Sequence, residues 1–247
     1  MWRRRTKKPL VERLASVGAP FDQPNWHEGE PNYVRKLGLS RDDVPALVQI
    51  AKGWTADEEP IEGTWHGPVH AWRALGQLRA AEAVEPLLKV LLGLNPPEDA
   101  CCFEEFPRVF GLIGPPAIAP LHDYLTNPRK QLYARVAAAH GLFEIGKRHP
   151  ESRLQAMEAL SSQLAGHDRS AYEINGFVVR FLVDLNATGA AEVIERAFAA
   201  NVIDESIADC WTVVRDDLGV EGLGLVPEPP VSQRRRDPIL LVHGPAW

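Results

Sequence analysis

The fold is decided by a short motif that occurs twice, as AVEPL at residues 83–87 and as AIAPL at residues 117–121. A leucine follows four residues after each copy, at Leu91 and Leu125, and a looser copy, AAEVI, occupies residues 190–194. A motif that recurs every 30 to 40 residues or so is typical of repeat proteins built from helix pairs. We therefore predict that each copy begins the first helix of a pair.

The second helix of each predicted pair carries three apolar residues spaced four and then three apart, which places them on one side of the helix. These triples are Ala71, Leu75 and Leu78; Phe106, Phe110 and Ile113; Ala138, Leu142 and Ile145; and Val178, Leu182 and Leu185. A single helix pair cannot bury such a side alone, so neighbouring pairs must stack. The sequence therefore predicts an all-α fold, an α-solenoid of about five stacked helix pairs.

Three regions are predicted along the chain. Residues 1–38 contain several prolines and little periodicity, which favours an irregular N-terminal arm. Residues 39–219 form the predicted solenoid. Residues 220–247 form a tail rich in proline and arginine, in which residues 220–236 are expected to be a mobile linker.

Composition and charge limit the function classes. The chain has 247 residues, of which 45% are hydrophobic and 24% are charged, as in soluble globular proteins. No apolar run reaches membrane-spanning length, and Glu12 and Arg13 interrupt the segment in which a signal peptide would be apolar. We therefore expect a cytoplasmic protein without membrane contact.

The net charge of −6 hides a more acidic body. Without the basic clusters near the two termini, 19 basic residues stand against 33 acidic ones, a net charge of −14. A surface of this charge repels the phosphates of nucleic acids, so nucleic-acid binding is disfavoured.

Four stretches carry a resemblance to a known family: PNYVRKLGLSRDDVPALV, PVHAWRALGQLRAAEAVEPLL, FPRVFGLIGPPAIAPL and INGFVVRFLVDLNATGAAEVIERAF. They resemble HEAT repeats of the bacterial kind named after phycobilisome lyases, and in particular bacterial HEAT-repeat proteins of undefined activity. The resemblance covers about three quarters of the chain, residues 31–219, and it implies a HEAT-like fold for residues 39–219. Some members of that family end in a cysteine-rich zinc-binding tail, which this chain lacks, so the resemblance implies no metal here.

Neither a catalytic site nor a metal site is predicted. No serine, cysteine or lysine stands in a recognisable nucleophile turn, and the adjacent Glu104 and Glu105 are expected on solvated helix faces. His66 and His70 are four residues apart, but Gly67 and Pro68 intervene and no third ligand follows at a telling spacing. We expect no cofactor and find no indication of a small-molecule ligand.

The preferred function is a non-catalytic scaffold that binds a protein partner. Two enzymatic alternatives stay open, because HEAT-like repeats also occur in phycobilin lyases and in HEAT-type DNA glycosylases. The sequence contains no dedicated bilin pocket. A glycosylase would need a basic concave face, which the acidic body argues against.

The predicted binding surface is a basic ladder on the second helices. Its members stand two residues before the central residue of each apolar triple: Arg73, Arg108, His140 and Arg180. At about 100° per residue this position points almost opposite the buried side, so the four are expected on the exposed, concave face. The alternative is ordinary surface pairing with acids four residues away, as between Arg180 and Asp184.

A second candidate surface surrounds the acidic segment between the first helices. It consists of Trp54, Trp65, His70 and Trp72. Exposed tryptophans are typical anchors of protein interfaces, but bulky aromatics are equally expected where they cap the open end of a solenoid.

Overall fold

The structure, a computed structural model of the chain, describes residues 8–53, 66–94, 100–166 and 169–226. These residues form thirteen α-helices joined by turns and short 3-10 segments, with no strand among them. The prediction of an all-α chain is confirmed for this part of the molecule. The chain divides into two compact units, Met1–Ala156 and Met157–Trp247, which are described separately.

The described residues of the first unit form eight complete helices and the start of a ninth. They are α1 (Leu10–Ala15), α2 (Tyr33–Leu37), α3 (Val44–Ala51), α4 (His66–Gln77), α5 (Val84–Leu92), α6 (Ala100–Ile113), α7 (Ile118–Thr126) and α8 (Leu132–Arg148). The second unit contains the rest of α9 (Arg153–Ala165), followed by α10 (Tyr172–Asp184), α11 (Ala191–Ala199), α12 (Glu205–Ala208) and α13 (Trp211–Leu218).

The repeated proline motif starts α5 and α7, as predicted. Each helix follows a 3-10 turn, and Pro86 and Pro120 occupy its first turn, where a backbone N–H has no partner inside the helix. The leucines after the prolines, such as Leu87 and Leu121, are fully buried.

The second helices of the first unit pack in chain order. Helix α6 lies against both α4 and α8, while α3 packs on α4, α5 on α6 and α7 on α8. The three apolar triples of this unit face inward, with Leu78 half-buried and the other eight residues buried. Gly141, on α8, allows this helix to lie close to α6 and α7. A Cβ at this position would stand 3.1 Å from Leu121 Cδ1 and 3.3 Å from Phe110 Cδ2.

The N-terminal arm is more ordered than predicted. Its described residues form α1, α2 and two 3-10 turns, and Leu14, Trp26 and Tyr33 are fully buried. The prediction of an irregular arm is therefore wrong for these residues. Both α1 and α2 pack against α4, so the arm lies in the same compact unit as α3 to α8.

In the second unit, α10 packs on α12 and α13, and α11 packs on α13. The buried carboxylate of Glu195, on α11, accepts hydrogen bonds from the backbone N–H groups of Leu223 and Leu225. This carboxylate thus binds the backbone of two residues at the start of the predicted linker, and the mobility of residues 220–236 stays a prediction. Residues 227–236 lie outside the described part of the chain.

Candidate functional site

Arg73, the first member of the predicted ladder, is buried. Only 2% of the residue is exposed, and its Nε donates to Glu105 Oε2 at 3.0 Å while an Nη atom donates to the carbonyl of Pro20 at 2.8 Å. Its guanidinium lies 5.1 Å from the centre of the Trp26 ring. The predicted exposure of Arg73 is wrong because the arm covers this side of α4. Glu105, on α6, is also buried and pairs with Arg73, so its predicted solvent exposure is wrong as well.

The arm is also bound to α4 by a half-buried side chain, Gln77. Its Nε2 donates to the carbonyls of Trp26 at 2.8 Å and Pro31 at 3.0 Å, and its Oε1 accepts from the backbone N–H of Tyr33 at 2.7 Å. One glutamine thus satisfies three backbone groups of an otherwise loop-like segment. These hydrogen bonds help to hold the arm, which has only short helices, against α4.

His70 lies in the core of the first unit and binds the arm. Its Nε2 donates to the carbonyl of Gly18 at 2.8 Å, since a carbonyl only accepts, and its Nδ1 then accepts from the hydroxyl of Tyr33 at 2.8 Å. Burial lowers the pKa of His70 to about 4, so the ring is neutral at pH 7. Its predicted role as a surface anchor is wrong.

Trp72 is also a core residue. It is fully buried, its Nε1 donates to the carbonyl of Ala51 at 2.9 Å, and its ring centre lies 4.7 Å from that of Phe106. It therefore presents no surface to a partner. Trp54 and Trp65, the other tryptophans of the second candidate surface, lie outside the described residues.

Arg108 and His140 do reach the surface of the first unit. The Arg108 side chain is 34% exposed and pairs with Glu104 at 4.0 Å. His140 is half-buried on α8, and burial, together with the charges of Arg108 and Lys147, lowers its pKa to about 4 against the opposing effect of Glu144. These two members of the ladder lie within electrostatic reach of each other.

Three further residues, which the sequence analysis did not single out, lie next to Arg108 and His140: His27, Lys147 and Arg148. Arg148 Nε donates to Glu144 Oε2 at 2.8 Å, and an Nη atom donates to the carbonyl of His27 in the arm at 3.3 Å. Lys147 Nζ lies 3.8 Å from the buried Glu144 carboxylate. We call His27, Arg108, His140, Lys147 and Arg148 the basic cluster, with Glu144 at its base.

A glycine on α6 brings the parts of the basic cluster together. A Cβ on Gly111 would stand 2.7 Å from Glu144 Cβ and 3.3 Å from Arg148 Cδ, so only a hydrogen fits between α6 and α8 here. Arg108 precedes Gly111 by one helical turn and therefore lies beside the Glu144–Arg148 pair. Glu144 and Arg148 are four residues apart in the sequence, a spacing that favours an ion pair on a helix. This spacing could have indicated the Glu144–Arg148 pair from the sequence alone.

Burial and positive neighbours also keep His27 neutral. Its pKa is lowered first by burial and then by the charges of Arg108 and Arg148, against the opposing effects of Glu28 and Glu144. His27 Nδ1 is buried with no hydrogen-bond partner among the described atoms. The two arginines thus lower the pKa of this ring more than the two carboxylates raise it.

Arg180, the last member of the ladder, belongs to the second unit. Its side chain is 38% exposed, and it lies 3.3 Å from Asp184 and 4.0 Å from Asp209. Two carboxylates compensate its single charge. The sequence predicted the pair with Asp184, whereas Asp209 comes from a distant part of the chain.

The two neighbouring histidines, His66 and His70, have ring centres 6.1 Å apart. The described residues contain no group of three or more histidine, cysteine, aspartate or glutamate residues that could hold a metal ion. Within the same residues, no helix is both long and apolar enough to cross a bilayer.

Comparison with known proteins adds no relative. No family model matches the chain, and the searches of curated proteins and of solved structures returned no match. The resemblance to HEAT-repeat proteins stays a prediction.

Proposed function

We propose that the protein is a non-catalytic scaffold of the HEAT-repeat type, in which stacked helix pairs form an α-solenoid and the second helices bind a protein partner on their concave side. The observation that carries this proposal is the packing of α4, α6 and α8 in chain order, with their apolar triples turned inward. This is the arrangement that stacked repeats require.

The charges of the second helices support these helices as the binding elements of each unit. Opposite the buried triples of the first unit, α6 carries Arg108 and α8 carries the neutral His140 beside the cation Lys147, and in the second unit α10 carries Arg180. The arm occupies the corresponding side of α4, so the partner surface begins at α6. Positive groups at an interface steer an oppositely charged partner and select against others.

The proposal is tested by capturing partners from the native host and quantifying them by mass spectrometry. The wild-type protein is compared with the double variant Arg108→Glu/Arg180→Glu. We expect the variant to lose a specific set of bound proteins, by about tenfold or more, because two attractive charges become repulsive.

The matched control is Arg41→Glu/Arg196→Glu. It makes the same change in charge at one exposed, ion-paired arginine in each unit. We expect this control to capture the wild-type set. If both double variants capture that set equally, with unchanged melting temperatures, the second-helix surface is not the binding face.

A further inference from the structure

A cavity of about 250 Å³ lies between α5 and α7, the two helices that begin with the repeated proline motif. Leu88 and Leu92 of α5 and Pro120 of α7 form its apolar wall. Leu92 is 41% exposed, so much of its apolar surface is open to a ligand. No small-molecule ligand is predicted from the sequence, because the cavity exists only where these two helices face each other.

Tyr124, on α7, also lines the cavity, and its hydroxyl lacks a hydrogen bond. The oxygen is buried, and no described atom donates to it or accepts from it. Burial raises the pKa of Tyr124 to about 12, so at pH 7 the hydroxyl is a donor without an acceptor. Folded proteins rarely leave a buried donor unpaired, which points to a ligand that supplies the acceptor.

A ligand reaches this hydroxyl when the Tyr124 ring turns toward the cavity, because the oxygen itself has almost no exposed area. No hydrogen bond to a described atom opposes this turn. The ring contacts Lys130, whose ammonium nitrogen lies 4.8 Å from the ring centre. Lys130 lines the cavity as well, so an aromatic ligand gains a cation–π contact that an aliphatic ligand lacks.

The charged groups that line the cavity balance each other. Lys89 and Lys130 bring two positive charges, and Glu85 and Asp123 bring two negative charges. A charged ligand would be attracted by one pair and repelled by the other, and it would lose part of its hydration on entry. The lining therefore favours an uncharged ligand.

The size of the cavity limits the ligand further. Pockets for drug-sized molecules typically have volumes of about 300–1,000 Å³, and this cavity is smaller. It therefore suits a molecule with a single aromatic ring system.

We propose that the cavity between α5 and α7 binds a small uncharged aromatic molecule that carries a hydrogen-bond acceptor, such as an aromatic amide. The ring of the ligand lies against the apolar wall, beside the Lys130 ammonium group. Its acceptor binds the Tyr124 hydroxyl. The site lies on other helices than the proposed partner surface, and the inference does not depend on the scaffold function.

The test is a titration of the isotope-labelled protein with benzamide, followed through the backbone amide NMR signals of α5 and α7. Three probes of similar size each change one property: benzoate is an anion, benzylammonium is a cation, and cyclohexanecarboxamide has no aromatic ring. We expect benzamide to bind with a Kd of about 1 mM or lower. The other three should bind at least about threefold more weakly.

Two variants test the residues of the cavity. Tyr124→Phe removes the hydroxyl without breaking a hydrogen bond to a described atom, so its melting temperature should not fall, while benzamide should bind about fivefold more weakly. Leu92→Trp places a larger side chain in the cavity and should abolish binding. Its matched control is Leu154→Trp, at a leucine on α9 that is 73% exposed, which should bind benzamide like the wild type.

Three results would overturn the inference. The first is that benzamide shifts no amide signal of α5 or α7 at any concentration up to its solubility limit. The second is that benzoate, benzylammonium or cyclohexanecarboxamide binds as tightly as benzamide. The third is that Tyr124→Phe or Leu92→Trp, with an unchanged melting temperature, binds benzamide like the wild type. Capture of host proteins through Arg108 and Arg180 tests the scaffold function separately from all three.

Discussion

The buried ion pair between Arg73 and Glu105 should be the most sensitive polar contact of the first unit. Replacing Arg73 with methionine keeps much of the side-chain volume but leaves the Glu105 carboxylate, with 8% of its side chain exposed, without its cation. Breaking a buried pair in this way costs about 3–5 kcal/mol. The substitution also removes the donor to the Pro20 carbonyl and the cation above Trp26.

A loss of this size is a large part of a typical unfolding free energy of about 5–15 kcal/mol. We expect the transition of the first unit to move down by roughly 10 °C, from the usual 2–4 °C per kcal/mol in domains of this length. Thermal and urea unfolding followed by far-ultraviolet circular dichroism measure the change.

Two further variants compare the stability contributions of this buried ion pair and of an exposed one. Arg41→Met removes a pair between side chains that are 58% and 66% exposed, and it should cost no more than about 1 kcal/mol. The double variant Arg73→Met/Glu105→Met should recover part of the loss, since no unpaired charge remains. If Arg73→Met lies within about 1 kcal/mol of the wild type, the arm is not held by this pair.

Three more predictions follow from single contacts. Gly111→Ala should destabilise the first unit by about 1–3 kcal/mol in urea unfolding, because its Cβ would stand 2.7 Å from Glu144 Cβ, whereas Gly189→Ala, with no atom within 4 Å, should change little. The pKa of buried His70 is about 4 in the folded protein, against about 6.5 for a histidine in an unfolded chain, so the unfolded chain binds the proton first as the pH falls. The free energy of unfolding should therefore fall by up to about 3 kcal/mol as the pH drops through this window, and His70→Gln should flatten this dependence. Glu195→Ala should speed chymotryptic cleavage after Leu223 and Leu225, whose N–H groups lose their acceptor, and unchanged cleavage would mean that other contacts hold the segment.

The positions of these helices were predictable because their signal is local. A proline in the first turn, buried leucines four residues apart and inward triples each depend on residues within one or two helical turns. Those features placed α5, α7 and the second helices α4, α6, α8 and α10 correctly. The same helix geometry predicted Arg73 on the side of α4 opposite its apolar triple.

What covers that side of α4 could not be predicted from the helix. The partners of Arg73 include Pro20, 53 residues earlier, and Glu105, 32 residues later. No periodicity in α4 reports on such distant residues, and a lone arginine opposite an apolar side normally faces water. His70 was misplaced for the same reason, since Gly18 and Tyr33 both come from the arm.

The basic cluster was predictable in part. Arg108 and His140 followed from the repeat register, and the Glu144–Arg148 spacing was visible in the sequence. His27 was not, because it reaches the cluster through a backbone carbonyl that Arg148 binds across 121 residues. The shared positive environment of the two histidines exists only once the arm is folded against the helices.

The most direct test of the binding face is amide hydrogen exchange on the wild-type protein, with and without the partner isolated by capture. Binding through the second helices predicts slower exchange in α6 and α8, centred on the turns that carry Arg108 and His140, while α5 and α7 stay unchanged. Protection confined to α5 and α7, with α6 and α8 unaffected, would contradict it.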